Sequence, residues 1–178
     1  LPDLYLLCHP TELYKSSNTG QLLPGISVDS DLAHGRTAGE PHWQCQQISW
    51  QRKHPDPQLM AAIQRGGAVL LYPSANAQVI DLDRPLPLQL AADQRLRSVI
   101  VLDATWQLAQ KMFNQSPYLR DIPHWHATSQ YQSVFKLRRN QRSGAWCTAE
   151  TVALLWQASD ASQQAEELWQ RFHRFNQR

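Results

Sequence analysis

In the run Ser98-Val-Ile-Val-Leu-Asp103 four apolar residues, Val99 to Leu102, end abruptly at Asp103, and Thr105 and Trp106 follow two and three positions later. A carboxylate at the end of a buried strand can take or orient a proton. An indole beside it makes a wall for a flat or cationic ligand. Each residue also has a plainer role. Asp103 could cap the helix that follows by accepting a backbone N–H, unless Thr105 does so in its place. Trp106 shares a helical face with Ala109 and Phe113 and could belong to the core.

Two further groups carry polar chemistry. Within residues 8–23, His9, Glu12, Lys15, Asn18 and Thr19 crowd a segment with little apolar periodicity. It reads either as a solvated loop or as a polar wall, with Lys15 for phosphate and Asn18 and Thr19 for hydrogen bonds. Within residues 136–155, Lys136, Arg138, Arg139 and Arg142 precede Gly144 and a helix beginning near Thr148. A basic run leading into a helix amino terminus suits a phosphate or carboxylate. Glu150 stands two residues after Thr148, so it forms no capping box with it, and a reciprocal cap with Cys147 is expected to be weak. Glu150 is then a first-turn dipole partner or a site carboxylate.

Other chemistries lack their patterns. There is no GxGxxG, no GxxxxGK[ST] and no GxSxG. His124 and His126 alternate on one strand without an obvious third ligand, so no metal site is expected.

The elements that must position these groups follow from periodicity. Residues 3–8, 68–73 and 98–103 are short runs with almost no polar alternation, as in a parallel sheet covered on both faces. Helices are expected from Pro57 to the Gly66-Gly67 pair, from Trp106 to about Asn114, from Thr148 through Trp156, and along the seam Ala161, Ala165, Leu168, Phe172 and Phe175. Residues 29–55 read as a long loop with short strands, and 83–95 as a Pro-containing connection. This alternation predicts an α/β fold with a mainly parallel sheet flanked by helices, whose ligands bind beyond the carboxyl ends of the strands.

The 178 residues suffice for a single domain, 42% of them are hydrophobic, and no run approaches a membrane span. The chain opens on Leu1, as a trimmed or partial chain does, and shows no signal-peptide pattern. Three widely spaced cysteines fit a reducing, cytoplasmic setting better than a disulfide framework. Net charge is only +2, yet Arg outnumbers Lys 13 to 4, and guanidinium forks suit anionic partners.

Four segments taken together resemble the DTW-domain family. Asp103-Ala-Thr-Trp106 with Ala109 resembles its signature, and "HPTELYKSSNTGQLL" (9–23) its amino-terminal segment. "LLYPSANA" (70–77) resembles its central strand end, and "CTAETVALL" (147–155) its Ser-Thr-x-Glu-Ala helix start. Here Cys147 stands at the Ser position and Thr151 at the Ala position. The small cysteine-rich zinc segment that opens many bacterial members has no counterpart in residues 1–178, which form a single DTW domain.

The resemblance implies a SPOUT-like, knotted α/β fold and a tRNA-uridine aminocarboxypropyltransferase. Such an enzyme moves the 3-amino-3-carboxypropyl group of S-adenosylmethionine to uridine N3, without a metal, and releases 5′-methylthioadenosine. On that reading Asp103 is the first candidate base, Glu150 the second and Glu12 the third. Leu71, Tyr72, Pro73, Ser74, Thr105, Trp106, Leu137, Arg138 and Thr148 would hold the donor. His9, Lys15, Asn18, Thr19, Arg36, Arg139 and Arg142 would hold tRNA. A monomer is expected. The competing readings are a SPOUT-type RNA methyltransferase and a non-catalytic RNA-binding module.

Overall fold

Three strands run through the middle of the sheet because their residues are apolar on both faces. In the computed structural model, which describes residues 2–26, 45–137 and 145–178, these are β1 (Asp3–Cys8), β3 (Ala68–Leu71) and β7 (Ser98–Asp103). Around them lie β2 (Cys45–Ser49), β4 (Gln78–Asp81) and β8 (His124–Thr128), in the spatial order β2-β1-β7-β3-β8-β4. Every pairing in this six-stranded sheet is parallel.

Alternate side chains feed two separate cores, as the two-residue period of a strand requires. Leu4, Leu6, Val69, Val99 and Val101 pack on one face under α4 (Thr148–Ala158) and α5 (Ser162–Asn176). Tyr5, Leu7, Leu70 and Ile100 pack on the other, where α1 (Pro57–Arg65) contributes Leu59, α2 (Trp106–Asn114) Met112 and α3 (Pro117–Arg120) Leu119. The α/β class with a parallel sheet flanked by helices is therefore as the sequence predicts.

The helix ends have identifiable causes. Asp56 caps α1 by accepting from the backbone N–H groups of Gln58 and Leu59 at 2.8 and 3.1 Å. Thr105 caps α2, its Oγ1 accepting from Leu108 N at 3.4 Å. The seam of α5 is buried at Ala165, Leu168, Phe172 and Phe175, while Ala161 sits just before the helix as its cap.

Several features depart from the expected layout, the short helix α3 among them. β4 is an edge strand within a stretch to which periodicity assigned nothing. The connection 83–95 contains an antiparallel hairpin, β5 (Gln89–Ala91) with β6 (Gln94–Arg95). Residues 19–22 of the turn-rich amino-terminal segment form a short 3-10 helix, Thr19–Leu22.

Chain order and spatial order differ in one respect that matters for the site. β7 enters the sheet late, between β1 and β3, and β8 fills the gap between β3 and β4. Cys8 and Asp103, the last residues of β1 and β7, lie side by side in register. Because the sheet is parallel, the segments after β1, β3, β7 and β8 all emerge at the same edge.

Candidate functional site

Asp103 is almost wholly buried, at 1% exposure, but it caps nothing, because Thr105 holds that position. Its carboxylate is held instead by long-range partners. Thr148 Oγ1 donates to Oδ1 at 2.7 Å and Cys8 Sγ donates to Oδ2 at 3.3 Å. Burial, followed by the charge of Asp103, pushes the Cys8 thiol up to about 12, so it remains a proton donor to that carboxylate. Thr148 opens α4, so Asp103 also faces the amino end of a helix.

Gly20 completes the enclosure. A Cβ at this position would lie 2.3 Å from Asp103 Oδ2 and 3.0 Å from Asn18 Oδ1. Gly20→Ala is therefore expected to cost about 1–3 kcal/mol by overpacking. By displacing the carboxylate it should also lower turnover by about 10²-fold. Thermal denaturation and steady-state kinetics check both; a variant with wild-type midpoint and turnover would contradict the contact.

The amino-terminal segment is solvated along Tyr14–Ser16, but His9, Glu12, Asn18 and Thr19 are buried. Asn18 Oδ1 accepts from Gly20 N at 2.8 Å, and its Nδ2 donates to the carbonyl of Glu12 at 2.9 Å. Thr19 Oγ1 accepts from Ala149 N at 3.1 Å and so ties the segment to α4. Both side chains, expected to face RNA, instead bind the protein's own backbone. Glu12 is buried and pairs with half-exposed Lys15 at 2.5 Å, so the expected phosphate contact already has an intramolecular partner. His9 is buried, and its ring stacks on Trp50 with centroids 5.5 Å apart. Thr11 N donates to His9 Nδ1 at 3.2 Å, which puts the proton of the neutral ring on Nε2. Burial, then the charge of Lys111, lowers the His9 pKa.

The segment after β3 packs toward α2. Tyr72 stacks on Phe113 with centroids 4.3 Å apart, and Phe113 meets the edge of His124. His124 Nε2 donates to the carbonyl of Leu119 at 2.8 Å, so its Nδ1 accepts from Ser74 Oγ at 2.7 Å. Both nitrogens of His124 are thus engaged, whereas His126 is exposed. Among the described residues no three of His, Cys, Asp and Glu group as metal ligands. Leu71 and Pro73 flank Tyr72, and Leu137 packs against the larger core. Trp106, at the start of α2, is 43% exposed. Arg36, Arg138, Arg139 and Arg142 lie outside the described residues.

Glu150 is placed differently from a site carboxylate. It is fully buried, and its two oxygens accept from Tyr131 Oη, Ser133 Oγ, Val134 N and Cys147 N at 2.8–3.0 Å. The bond from Cys147 N is half of a capping box, which the sequence reading expected to be weak. Glu150 thus anchors residues 131–134 to α4 and has no oxygen turned to a ligand. Sequence reasoning singled out neither Cys8 nor Gly20 for the site, nor Tyr131 and Ser133 as partners of Glu150. The pairing of β1 with β7 would have pointed to Cys8, but only once the strand order was known.

Fold and site together define a parallel-sheet α/β protein with a clamped carboxylate at the carboxyl edge of its central strands. Comparison with known families gives the narrower assignment: the model of the DTW domain matches residues 2–178, so the chain belongs to the DTW-domain family, the tRNA-uridine aminocarboxypropyltransferase family. No solved structure matches the chain. Among the described residues no helix is long and apolar enough to cross a membrane.

Proposed function

We propose that this protein transfers the 3-amino-3-carboxypropyl group of S-adenosylmethionine to N3 of a tRNA uridine. The observation that carries this reading is the Asp103 carboxylate, clamped by Cys8, Thr148 and Gly20 at a strand end in a chain of this family. Trp106 stands three residues on, partly exposed. A carboxylate and an indole face complement a sulfonium cation. Asp103 receives two donors where a carboxylate has about four lone-pair positions. The unused positions can accept a proton.

The step balances simply. The N3–H of uridine gives its proton to Asp103 while N3 forms a bond to the methionyl γ-carbon. The γ-carbon–sulfur bond breaks, its electron pair stays on sulfur, and 5′-methylthioadenosine leaves. The sulfonium offers three carbons, and the one in line with N3 reacts. In this reading Trp106 packs on the methionyl portion and directs that choice, and Arg138 is the candidate for the donor's carboxylate. Glu150 and Glu12, already engaged within the protein, take no part in the transfer. The three cysteines are free thiols, in keeping with work in a reducing cytosol.

Incubation with bulk tRNA and S-adenosylmethionine, followed by mass spectrometry, tests the proposal. Methylthioadenosine is expected in step with a modified uridine. S-adenosylhomocysteine would mean methyl transfer and overturn it. Binding of tRNA without calorimetric binding of S-adenosylmethionine would reduce the protein to an RNA-binding module.

A further inference from the structure

A cleft of about 360 Å³ opens at the amino end of the sheet, on the edge opposite Asp103. Its floor is the turn that ends α1. Gly66 and Gly67 have φ of 84° and 76°, a region that side chains disfavour, and they turn the chain into β3. A Cβ on Gly67 would lie 2.3 Å from the carbonyl oxygen of Arg95, so its absence lets the end of the β5–β6 hairpin rest on this turn. The Gly67 carbonyl then accepts from Arg97 N and Ser98 N at 2.8 and 3.1 Å.

That docking gathers three guanidinium side chains, Arg65, Arg95 and Arg97, around one hollow. Among the described residues Asp93 is the one acidic residue lining it, which leaves a formal surplus of two positive charges among them. Arg65 lies 3.7 Å from Asp3. Among the described residues Arg95 and Arg97 form no ion pair and no side-chain hydrogen bond. The negative end of α1 accounts for Arg65, in its last turn. It does not account for two more arginines brought in by another element. Arg95 and Arg97, without ion pairs and lining one concave polar hollow with Arg65, offer guanidinium forks that match a tetrahedral oxyanion.

We propose that this cleft is a phosphate-binding site that holds a backbone phosphate of the RNA substrate away from the reacting uridine. β7 spans the interval from Ser98 to Asp103, about 17 Å at the usual rise per residue, a distance one RNA stem can cover. The RNA assignment rests on the reading of the preceding subsection; the chemistry recognised is phosphate, in a diester or free.

The test is the double variant Arg95→Gln/Arg97→Gln. Both residues are exposed, and a thermal scan checks that the variant folds as wild type does. The tRNA affinity of wild type and variant is measured against salt, with Arg52→Gln as an exposed control. The salt slope is expected to fall by about one unit, and KM for tRNA to rise with kcat unchanged. If the slope is unchanged but calorimetric binding of inorganic pyrophosphate is lost, the site holds free phosphate groups. If neither changes, the inference is overturned. If wild type binds no tRNA, the proposed function fails, and the pyrophosphate titration alone decides this site.

Discussion

Asp103→Asn lowers turnover by about 10²–10⁴-fold, the usual worth of general-base help, and leaves calorimetric binding of S-adenosylmethionine within a few-fold of wild type. The amide is nearly isosteric with the carboxylate. Its oxygen can still accept from Thr148, as the carboxylate does at 2.7 Å. Packing against Gly20 is kept as well, so the change removes a proton acceptor without opening a cavity. The split between kcat and donor affinity separates two roles. A base is needed in the reacting complex, so its loss lowers kcat. A residue that only braces Thr148 and α4 would, when altered, disturb donor affinity and thermal midpoint together. Full activity in Asp103→Asn would remove the residue from the chemistry. Cys8→Ser serves as a companion, because it keeps a donor to Oδ2 and should keep most of the activity.

Glu150→Ala is expected to be the most damaging single change to stability, at about 3–5 kcal/mol, the usual cost of breaking a buried charged network. Four donor groups converge on this carboxylate. Once it is gone, Tyr131 Oη, Val134 N and Cys147 N lose their acceptor, and the buried Cys147 N in particular carries a desolvation penalty. Burial, then the hydrogen bond to Glu150 and the charge it carries, raise the Tyr131 hydroxyl, while burial and then the charge of Glu150 push the Cys147 thiol up to about 12. Both therefore stay protonated at neutral pH. In a chain of this size the midpoint should fall by about 10 °C or somewhat more. A thermal scan showing a loss below about 1 kcal/mol would mean that residues 131–134 are held by something else. Glu150→Gln should lose less, since one amide oxygen still accepts.

The central strands were legible because burial on both faces leaves no polar alternation, and residues 3–8 and 98–103 show none. The edge strand β4 was not: in Gln-Val-Ile-Asp only Ile80 is buried, and Val79 faces outward at 63% exposure. Helix ends marked by Pro57 and Gly66-Gly67 could be read directly, since those residues restrict or free φ. The Asp103 alternatives could not be separated from sequence, because either Asp103 or Thr105 has the chemistry of a cap. Geometry assigns that task to Thr105. Segment 9–23 misled for a different reason. Asn, Thr and Glu suit a wet loop and a buried turn equally, and only the fold shows that Asn18 and Thr19 serve backbone groups. The partners of Glu150 come from residues 131–134 and 147, and a contact between them is invisible before α4 is packed. The basic residues 138, 139 and 142, and Arg36, lie in stretches outside the described residues.

The late entry of β7 between β1 and β3 has a consequence for biosynthesis. Until residue 103 has left the ribosome, the inner backbone edges of β1 and β3 have no ladder to join. While residues 72–97 are being made, the nascent chain therefore carries two apolar strand edges without the partner they share, a hazard for intermolecular pairing. The clamp on Asp103 needs Thr148 as well, so it closes later still, once residue 148 has been made. Premature termination anywhere before that point yields a product prone to aggregate, with its acidic centre unassembled.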